Sequence, residues 1–336
     1  MIQVHDHSTQ DTHPYSALTP DSVLSAVEKL GYEPDARIYP LNSYENRVYQ
    51  IGLETGPSLI VKFYRPQRWS AEQILEEHAF TLELAALELP VVPPVVIEGQ
   101  GSLLDHEGFQ YAIFPQLIGR PPELDNLDNL LIMGRFLGRV HALGCQSHFL
   151  QRPTLSVDRL VGQSRQFLLE QNFIPSELRA AYEAVSELLI DKITEQFEYV
   201  EKLQLLRIHG DCHPGNVLWR DDVPHFVDFD DTITGPAIQD LWMMLSGDRN
   251  QRQAQLLELV EGYNEFADFK VRELALVESL RAMRLMHYSA WLARRWKDPA
   301  FPMNFPWFNT ERYWADHVLE LKEQVSAMDE PPLQLI

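Results

Sequence analysis

Short apolar stretches separated by turn residues fill the first third of the chain. Stretches of this length that are rich in β-branched and aromatic residues are typical of strands, and ETGP at 54–57 reads as the turn between two of them. The pattern predicts five strands, over residues 37–41, 47–53, 58–64, 90–97 and 109–114.

Apolar residues spaced by three and four positions predict two helices in the same third. Residues 18–30 have Thr19 as a cap, Pro20 at the first helical position and Gly31 just past the end, which is the usual order of helix start and stop signals. Residues 69–87 form the second helix, with one continuous apolar stripe.

Beyond Gly119 the apolar spacing is helical almost throughout. One helix is predicted to end at Gly144, and a clear stripe runs from Leu178 to Phe197. Further helices are predicted over residues 237–246, 251–266, 272–296 and 310–327.

These elements predict an α+β fold with two lobes. Residues 18–117 would form a small mixed β-sheet lobe, and residues 118–336 a mostly helical one. The polar residues 1–17 are predicted to be a disordered tail. A chain of 336 residues is long enough to bury a large core of this kind.

Composition and charge exclude several classes of function. The 28 Lys and Arg against 49 Asp and Glu give a net charge of −21, which disfavours nucleic acid and anionic membranes as partners. The charge serves solubility, or it attracts a basic peptide or a cationic small substrate. No apolar run approaches the roughly 20 residues that span a bilayer, and the N-terminus does not look like a signal peptide. With only Cys145 and Cys212, we expect a cytoplasmic protein without a disulfide framework. We also expect a monomer.

The segment HGDCHPGN (209–216), followed by FVDFDD (226–231), carries the most specific chemistry in the chain. An Asp, an Asn five residues later and a second Asp after a short apolar stretch match the needs of phosphoryl transfer from a magnesium nucleotide. Asp211 and Asp228 are the predicted catalytic residues, and Asp211 would accept the proton of the attacking hydroxyl. Asn216 and Asp228 would hold Mg²⁺, which prefers hard oxygen ligands.

This motif resembles the aminoglycoside phosphotransferase and choline kinase branch of the protein-kinase-like fold. The similarity extends to bacterial stress response serine/threonine kinases of that branch, and it covers the chain from about Leu18 to the end. The stretches that carry it are LNSYENRVYQ (41–50), VKFYRP (61–66), ILEEH (74–78), HGDCHPGNVLWRD (209–221), LRAMRLMHYSAWLARRW (280–296) and PPLQL (331–335). The resemblance implies a bilobal kinase-like fold, a nucleotide-binding N-terminal lobe and a catalytic C-terminal lobe.

Lys62 is the one cation in an apolar strand, LIVKF. From the residues alone it is either a surface lysine on an edge strand or a functional cation. The resemblance implies that Lys62 contacts the α- and β-phosphates of ATP and pairs with a glutamate of the following helix. Glu77 is the preferred partner, and Glu76 beside it keeps the choice open.

The resemblance also implies an ATP-binding turn and an adenine-binding connection. Ser43, in NSYEN (42–46), would contact ATP through its hydroxyl or its backbone N–H, although this turn lacks the glycines of protein kinases. Phe114, Gln116 and Leu117 would offer backbone groups to adenine.

Several residues around the motif have a structural interpretation as well as a functional one. His209 is expected to brace the loop, and Asp240 to accept backbone N–H bonds from it. Asp230 and Asp231 follow Asp228 closely and could be solvated or touch a second metal. The aromatic and basic stretch 281–314 is either packed helix surface, with arginines paired to carboxylates, or part of the acceptor pocket.

Three functions are compatible with these residues. The preferred one, implied by the resemblance, is an ATP-dependent serine/threonine protein kinase in a cytoplasmic stress response. A small-molecule kinase acting on choline, homoserine or an aminoglycoside is the alternative, and a silent nucleotide-binding regulator is a third. Only eleven residues separate Asp228 from Asp240, which leaves no room for the long activation loop of eukaryotic-type protein kinases.

Overall fold

The N-terminal part of the molecule is an antiparallel sheet between two helices. The structure is a computed structural model that describes residues 13–200 and 202–335. Five strands pair in the order β1-β2-β3-β5-β4. They are β1 (Pro34–Pro40), β2 (Arg47–Leu53), β3 (Leu59–Phe63), β4 (Leu104–His106) and β5 (Phe109–Pro115).

The two faces of this sheet have different partners because side chains alternate along each strand. On one face, Val61 and Phe63 of β3 join the buried residues of α1 (Pro20–Glu28), which Thr19 caps as expected. On the other face, Lys62 points toward α2 (Ala71–Ala86), which starts with a capping box formed by Ser70 and Gln73. The alternation therefore places Lys62, a buried cation, between the sheet and α2.

The predicted strand over residues 90–97 is wrong. Pro90, Pro93 and Pro94 lack the backbone N–H that a ladder needs, so the segment makes only single bridges, such as the one from Val91 to Phe226. The fifth strand of the sheet is instead the short β4, on the far side of β5.

The C-terminal part is mostly helical. The predicted helices are confirmed with shifted ends, and the start of the one predicted over 272–296 is a 3-10 helix, Val271–Leu276. The helices are α3 (Leu127–Gly144), α4 (Gln163–Glu170), α5 (Ser176–Tyr199), α6 (Ile238–Trp242), α7 (Arg249–Asn264), α8 (Val277–Arg294), α9 (Ala300–Asn304) and α10 (Glu311–Ala327).

Helices α3 and α7 approach each other closely at glycines. A Cβ on Gly134 would overlap the carbonyl oxygen of Leu259, and one on Gly138 would overlap that of Tyr263. On the facing helix, a Cβ on Gly262 would meet the carbonyl oxygen of Leu131. The absence of side chains at these positions lets the two backbones touch, which fixes the centre of the helical core.

Two small antiparallel pairs lie between the sheet and the helices and position the site. They are β6 (Leu206–Ile208) with β9 (Ile233–Gly235), and β7 (Val217–Arg220) with β8 (Val223–Phe226). The sheet-containing first part and the helical second part confirm the predicted α+β class.

The predicted tail, 1–17, lies outside the described residues as far as residue 12. Within its described part, Tyr15 is buried against Phe109 and donates a hydrogen bond to the carbonyl of Glu45. Among the described residues, no helix combines the length and apolar character required to cross a bilayer.

Candidate active site

The loop that carries Asp211 is held in one shape by its own residues. It follows β6, and Pro214–Asn216 then form a single 3-10 turn before β7. The Asn216 amide nitrogen donates to the backbone carbonyl of Asp211 across 3.0 Å. Gly210 has a φ of +86°, and a Cβ there would overlap the carbonyl of Asp231, so only glycine fits this close approach.

Asp240 anchors the same loop through hydrogen bonds to its backbone. Its carboxylate is fully buried and accepts the N–H groups of His209 at 2.7 Å and Gly210 at 2.8 Å. His141 Nε2 contacts the same carboxylate at 3.0 Å. The expectation that Asp240 accepts backbone bonds is confirmed, and His141 is a partner that the sequence did not indicate.

His209 joins the loop of Asp211 to the segment of Asp228. Its Nε2 lies 2.9 Å from the carbonyl oxygen of Val227, and its ring packs on Phe229 with centroids 4.5 Å apart. The bracing role expected of His209 is confirmed, because this contact sets the distance between the two loops.

The Asp211 carboxylate contacts Arg284 and His213. Arg284 Nη1 donates to Oδ1 at 2.5 Å, and His213 Nε2 lies 3.5 Å from Oδ2. Burial acts to raise the pKa of Asp211, but His213 and Arg284 outweigh it and hold that pKa below the usual range of a carboxyl. Arg284 belongs to the aromatic and basic stretch 281–314. The interpretation of this stretch as packed helix surface expected its arginines to pair with carboxylates, and Arg284 does so. The carboxylate it pairs with is the candidate base.

Lys62 lies within a group of three carboxylates. Its Nζ is 3.1 Å from Asp228 Oδ1, 3.1 Å from Asp230 Oδ1 and 3.5 Å from Glu77 Oε1. Burial acts to lower the pKa of Lys62, but Asp230, Glu77 and Asp228 raise it well above its ordinary value. Lys62 is therefore a buried cation, and the edge-strand surface lysine is the wrong interpretation.

Glu77, and not Glu76, faces Lys62. Arg152 Nη2 donates to the other oxygen of Glu77 at 2.7 Å, so this carboxylate lies between two cations. Burial raises the pKa of Glu77 to about 7, against the opposing effect of Lys62. Glu76 points the other way and accepts the backbone N–H groups of Leu150, Gln151 and Arg152 at 2.6–2.8 Å.

Asp228 is exposed at the cleft and has an unusual backbone conformation. It adopts the left-handed conformation at φ 59°, ψ 63°, an uncommon conformation for a residue other than glycine, and its side chain is 52% exposed. Asp230 turns inward and is 3% exposed. Arg68 pairs with Asp230 and also donates to Asp231 Oδ1 at 2.5 Å. One interpretation from the sequence was that Asp230 and Asp231 are simply solvated. Both instead pair with Arg68, so that interpretation is wrong.

A cleft of about 490 Å³ opens between the sheet and the helical part. It brings together most of the residues singled out from the sequence. Asp211 is not among the lining residues, but it is hydrogen-bonded to Asn216, which is. The candidate site residues in its lining are Ser43, Lys62, Glu77, Phe114, Gln116, Leu117, Asn216 and Asp228.

The donor set at the inner end of the cleft fits a hard divalent cation. The Asn216 amide nitrogen is engaged by the Asp211 carbonyl, which leaves the amide oxygen as a ligand. Together with the Asp228 carboxylate it offers hard oxygens, which suit Mg²⁺ when phosphate oxygens and water complete the octahedron. No group of three or more His, Cys, Asp or Glu side chains that could hold a metal by themselves occurs among residues 13–200 and 202–335.

The fold and the site define a phosphotransferase. The chain belongs to the phosphotransferase enzyme family APH, whose family model matches residues 37–274.

Within that family the chain is similar to stress response kinase A. It is 48% identical over 321 residues to the protein of that name from Shigella flexneri, covering 96% of this chain and 97% of the relative. It is 46% identical, over the same shares, to a Salmonella typhimurium protein named serine/threonine protein kinase RdoA. The resemblance found from the sequence motifs is thereby confirmed.

Solved structures show the same fold at low sequence identity. The amicoumacin kinase hAmiN, in complex with AMP-PNP, Ca²⁺ and Ami, superimposes with a TM-score of 0.69 at 18% identity, covering 92% of this chain and 94% of that one. Spectinomycin phosphotransferase APH(9)-Ia, with ADP and spectinomycin, gives 0.61 at 14%, covering 93% and 94%.

Proposed function

We propose that this phosphotransferase is an ATP-dependent serine/threonine protein kinase of a bacterial stress response. The observation that carries the chemistry is the contact of Lys62 with both Glu77 and Asp228 at the wall of the cleft. Relatives 46–48% identical over almost the whole chain, named stress response kinase A and serine/threonine protein kinase RdoA, support the acceptor class.

The residues of the cleft divide the work of phosphoryl transfer. Lys62, oriented by Glu77, would bind the α- and β-phosphates of ATP. Asn216 and Asp228 would hold Mg²⁺, which supplies charge neutralisation on the phosphate oxygens when it is bound. Asp211 would orient the acceptor hydroxyl and accept its proton late in a loose transition state.

The remaining cleft residues would bind the nucleoside. Ser43 would contact the phosphates of ATP through its hydroxyl or its backbone N–H. Backbone groups of Phe114, Gln116 and Leu117 would bind adenine. This assigns residues 18–117 to nucleotide binding, and residues 118–336 to catalysis, the metal and the acceptor. We further propose a cytoplasmic monomer that binds neither nucleic acid nor membranes, in keeping with its net charge of −21.

A small-molecule alcohol kinase is the second candidate. It is favoured by the short segment between Asp228 and Asp240, which leaves no long activation loop for docking a peptide. Such an enzyme would use the same four residues, Lys62, Asp211, Asn216 and Asp228, on a different acceptor.

The deciding experiment measures labelled phosphoryl transfer from ATP with Mg²⁺ to two panels, one of Ser/Thr proteins and one of small alcohols. Label in protein that is lost in Asp211→Asn would support the protein kinase. Turnover with a small alcohol alone would replace it by the second candidate. Nucleotide binding without transfer to either panel would favour a regulator and contradict both.

A further inference from the structure

The turn that carries Ser43 is tied to the far helical part of the chain by a buried glutamate. Glu45 is 9% exposed. Its carboxylate accepts the indole N–H of Trp291 at 2.5 Å and a guanidinium N–H of Arg295 at 2.8 Å. Both partners are on or just after α8, about 250 residues away in the chain.

A second buried carboxylate reinforces this connection. Asp298 accepts guanidinium groups from Arg47 at 3.3 Å and Arg65 at 3.2 Å, both in the sheet part, and also caps the start of α9 through the N–H of Ala300. Arg65 in turn donates its backbone N–H to the side chain of Asn46. The turn at 42–46 is thus fixed at its base by residues of both parts.

The same glutamate is linked to the segment next to Asp228. Arg68 Nε lies 3.8 Å from Glu45 Oε1, and the same guanidinium pairs with both Asp230 and Asp231. Burial acts to raise the pKa of Glu45, but Arg68 and Arg295 outweigh it, so the pKa lies below its ordinary value. A carboxylate held charged in a buried position makes strong, directional hydrogen bonds.

We infer that Glu45 is a positioning residue that clamps the Ser43 turn over the phosphate end of the cleft. Buried charged hydrogen bonds resist opening, because separation leaves an uncompensated charge. The turn would be closed before ATP arrives, so less conformational entropy is lost on binding. The purpose of this closure rests on the proposed function, since Ser43 acts there on the phosphates of ATP.

The first test is hydrogen–deuterium exchange of the amides in residues 41–48, without nucleotide. In Glu45→Gln, which keeps the shape and removes the charge, exchange should be about tenfold faster or more, given the usual strength of hydrogen bonds to charged groups. The exposed pair of Arg135 and Glu265 offers a matched control, and Glu265→Gln should leave this segment unchanged. Unchanged exchange in Glu45→Gln overturns the clamp.

A milder variant covers the case in which Glu45→Gln fails to fold. Trp291→Phe removes the hydrogen bond to Glu45 but keeps an aromatic ring against Phe301 and Phe305. Exchange of residues 41–48 should rise in the same direction by a smaller factor, and no rise overturns the inference.

The second test separates positioning from a general structural role. Calorimetric binding of ATP should weaken about tenfold in Glu45→Gln while adenosine binding stays unchanged, because the proposed function places the phosphates, and not the nucleoside, under the Ser43 turn. Equal loss for both ligands, or none for either, contradicts the positioning role. If the wild type transfers no phosphoryl group, the proposed function fails, and the exchange measurement still decides the clamp.

Discussion

Arg284 donates a hydrogen bond across 2.5 Å to the carboxylate of Asp211, although the two residues are 73 positions apart in the chain. Arg284 lies in α8 and its side chain is 45% exposed, so one face of the candidate base is covered by a cation that solvent can reach. The contact places α8 beside the proposed site of transfer and makes Asp211 the first residue to test.

Asp211→Asn should abolish transfer and leave nucleotide binding intact. The amide keeps the size of the side chain but cannot accept the proton of the hydroxyl, and loss of a general base typically costs ~10²–10⁴-fold in rate. The measurement is kcat alongside ATP affinity by calorimetry. Asp221→Asn, in the exposed turn between β7 and β8, is the control that should behave as wild type. A variant Asp211→Asn with kcat near wild type would remove Asp211 from the mechanism.

Lys62→Met should reduce transfer by ~10²-fold or more, because a preorganised charge on the phosphates is lost. It should also lower thermal stability, since Glu77, Asp228 and Asp230 lose the cation that they share.

Activity and melting temperature would be compared with those of Lys192→Met, which removes a cation from a surface pair with Asp329 and should change neither strongly. Undiminished turnover in Lys62→Met would refute the phosphate role of Lys62.

Glu273 should make stability depend on pH. Burial raises its pKa from 4.5 to about 7, although the backbone N–H of Ile238 opposes this at 3.0 Å. Between these two values the folded state holds a proton that the unfolded state has released, so this contribution to stability falls as pH rises, by at most roughly 1.4 kcal/mol per unit.

The variant Glu273→Gln removes this titration and keeps an acceptor oxygen for Ile238. Its unfolding free energy relative to wild type should therefore rise between pH 5 and about 7.5, as measured by denaturant titration. A difference between the two proteins that does not change with pH would mean that Glu273 titrates normally.

Gly134→Ala should destabilise the protein by about 1–3 kcal/mol, the usual cost of an overpacked core. The added methyl group would press on the backbone of Leu259, which cannot rotate away. Gly162→Ala is the matched control, because that residue already has helical angles and its new methyl would meet only the flexible end of Asp158. It should be neutral or slightly stabilising. Equal melting temperatures for the two variants would contradict the close packing of α3 and α7.

The sequence by itself determined the parts of the site that are local. The five-residue spacing of Asp211 and Asn216 fits a single loop, and one amide-to-carbonyl bond closes it. Alternation along β3 set Lys62 apart from its apolar neighbours, and helical periodicity located nearly all of the helices. These features depend on neighbours in the chain, which a pattern of residue types can express.

Only the tertiary structure decided which distant side chains meet. The side chains of Glu76 and Glu77 point about 100° apart because they are adjacent on a helix. Which of the two faces Lys62 is decided by packing: Arg152 binds Glu77, and the backbone at 150–152 binds Glu76. Arg68 and Arg284 reach Asp230 and Asp211 from positions 162 and 73 residues away in the chain. The prolines of 90–97 could not supply a ladder, and the fifth strand is instead the antiparallel partner of β5 at 104–106. Contacts of this kind follow from how whole elements pack, and no local pattern encodes them.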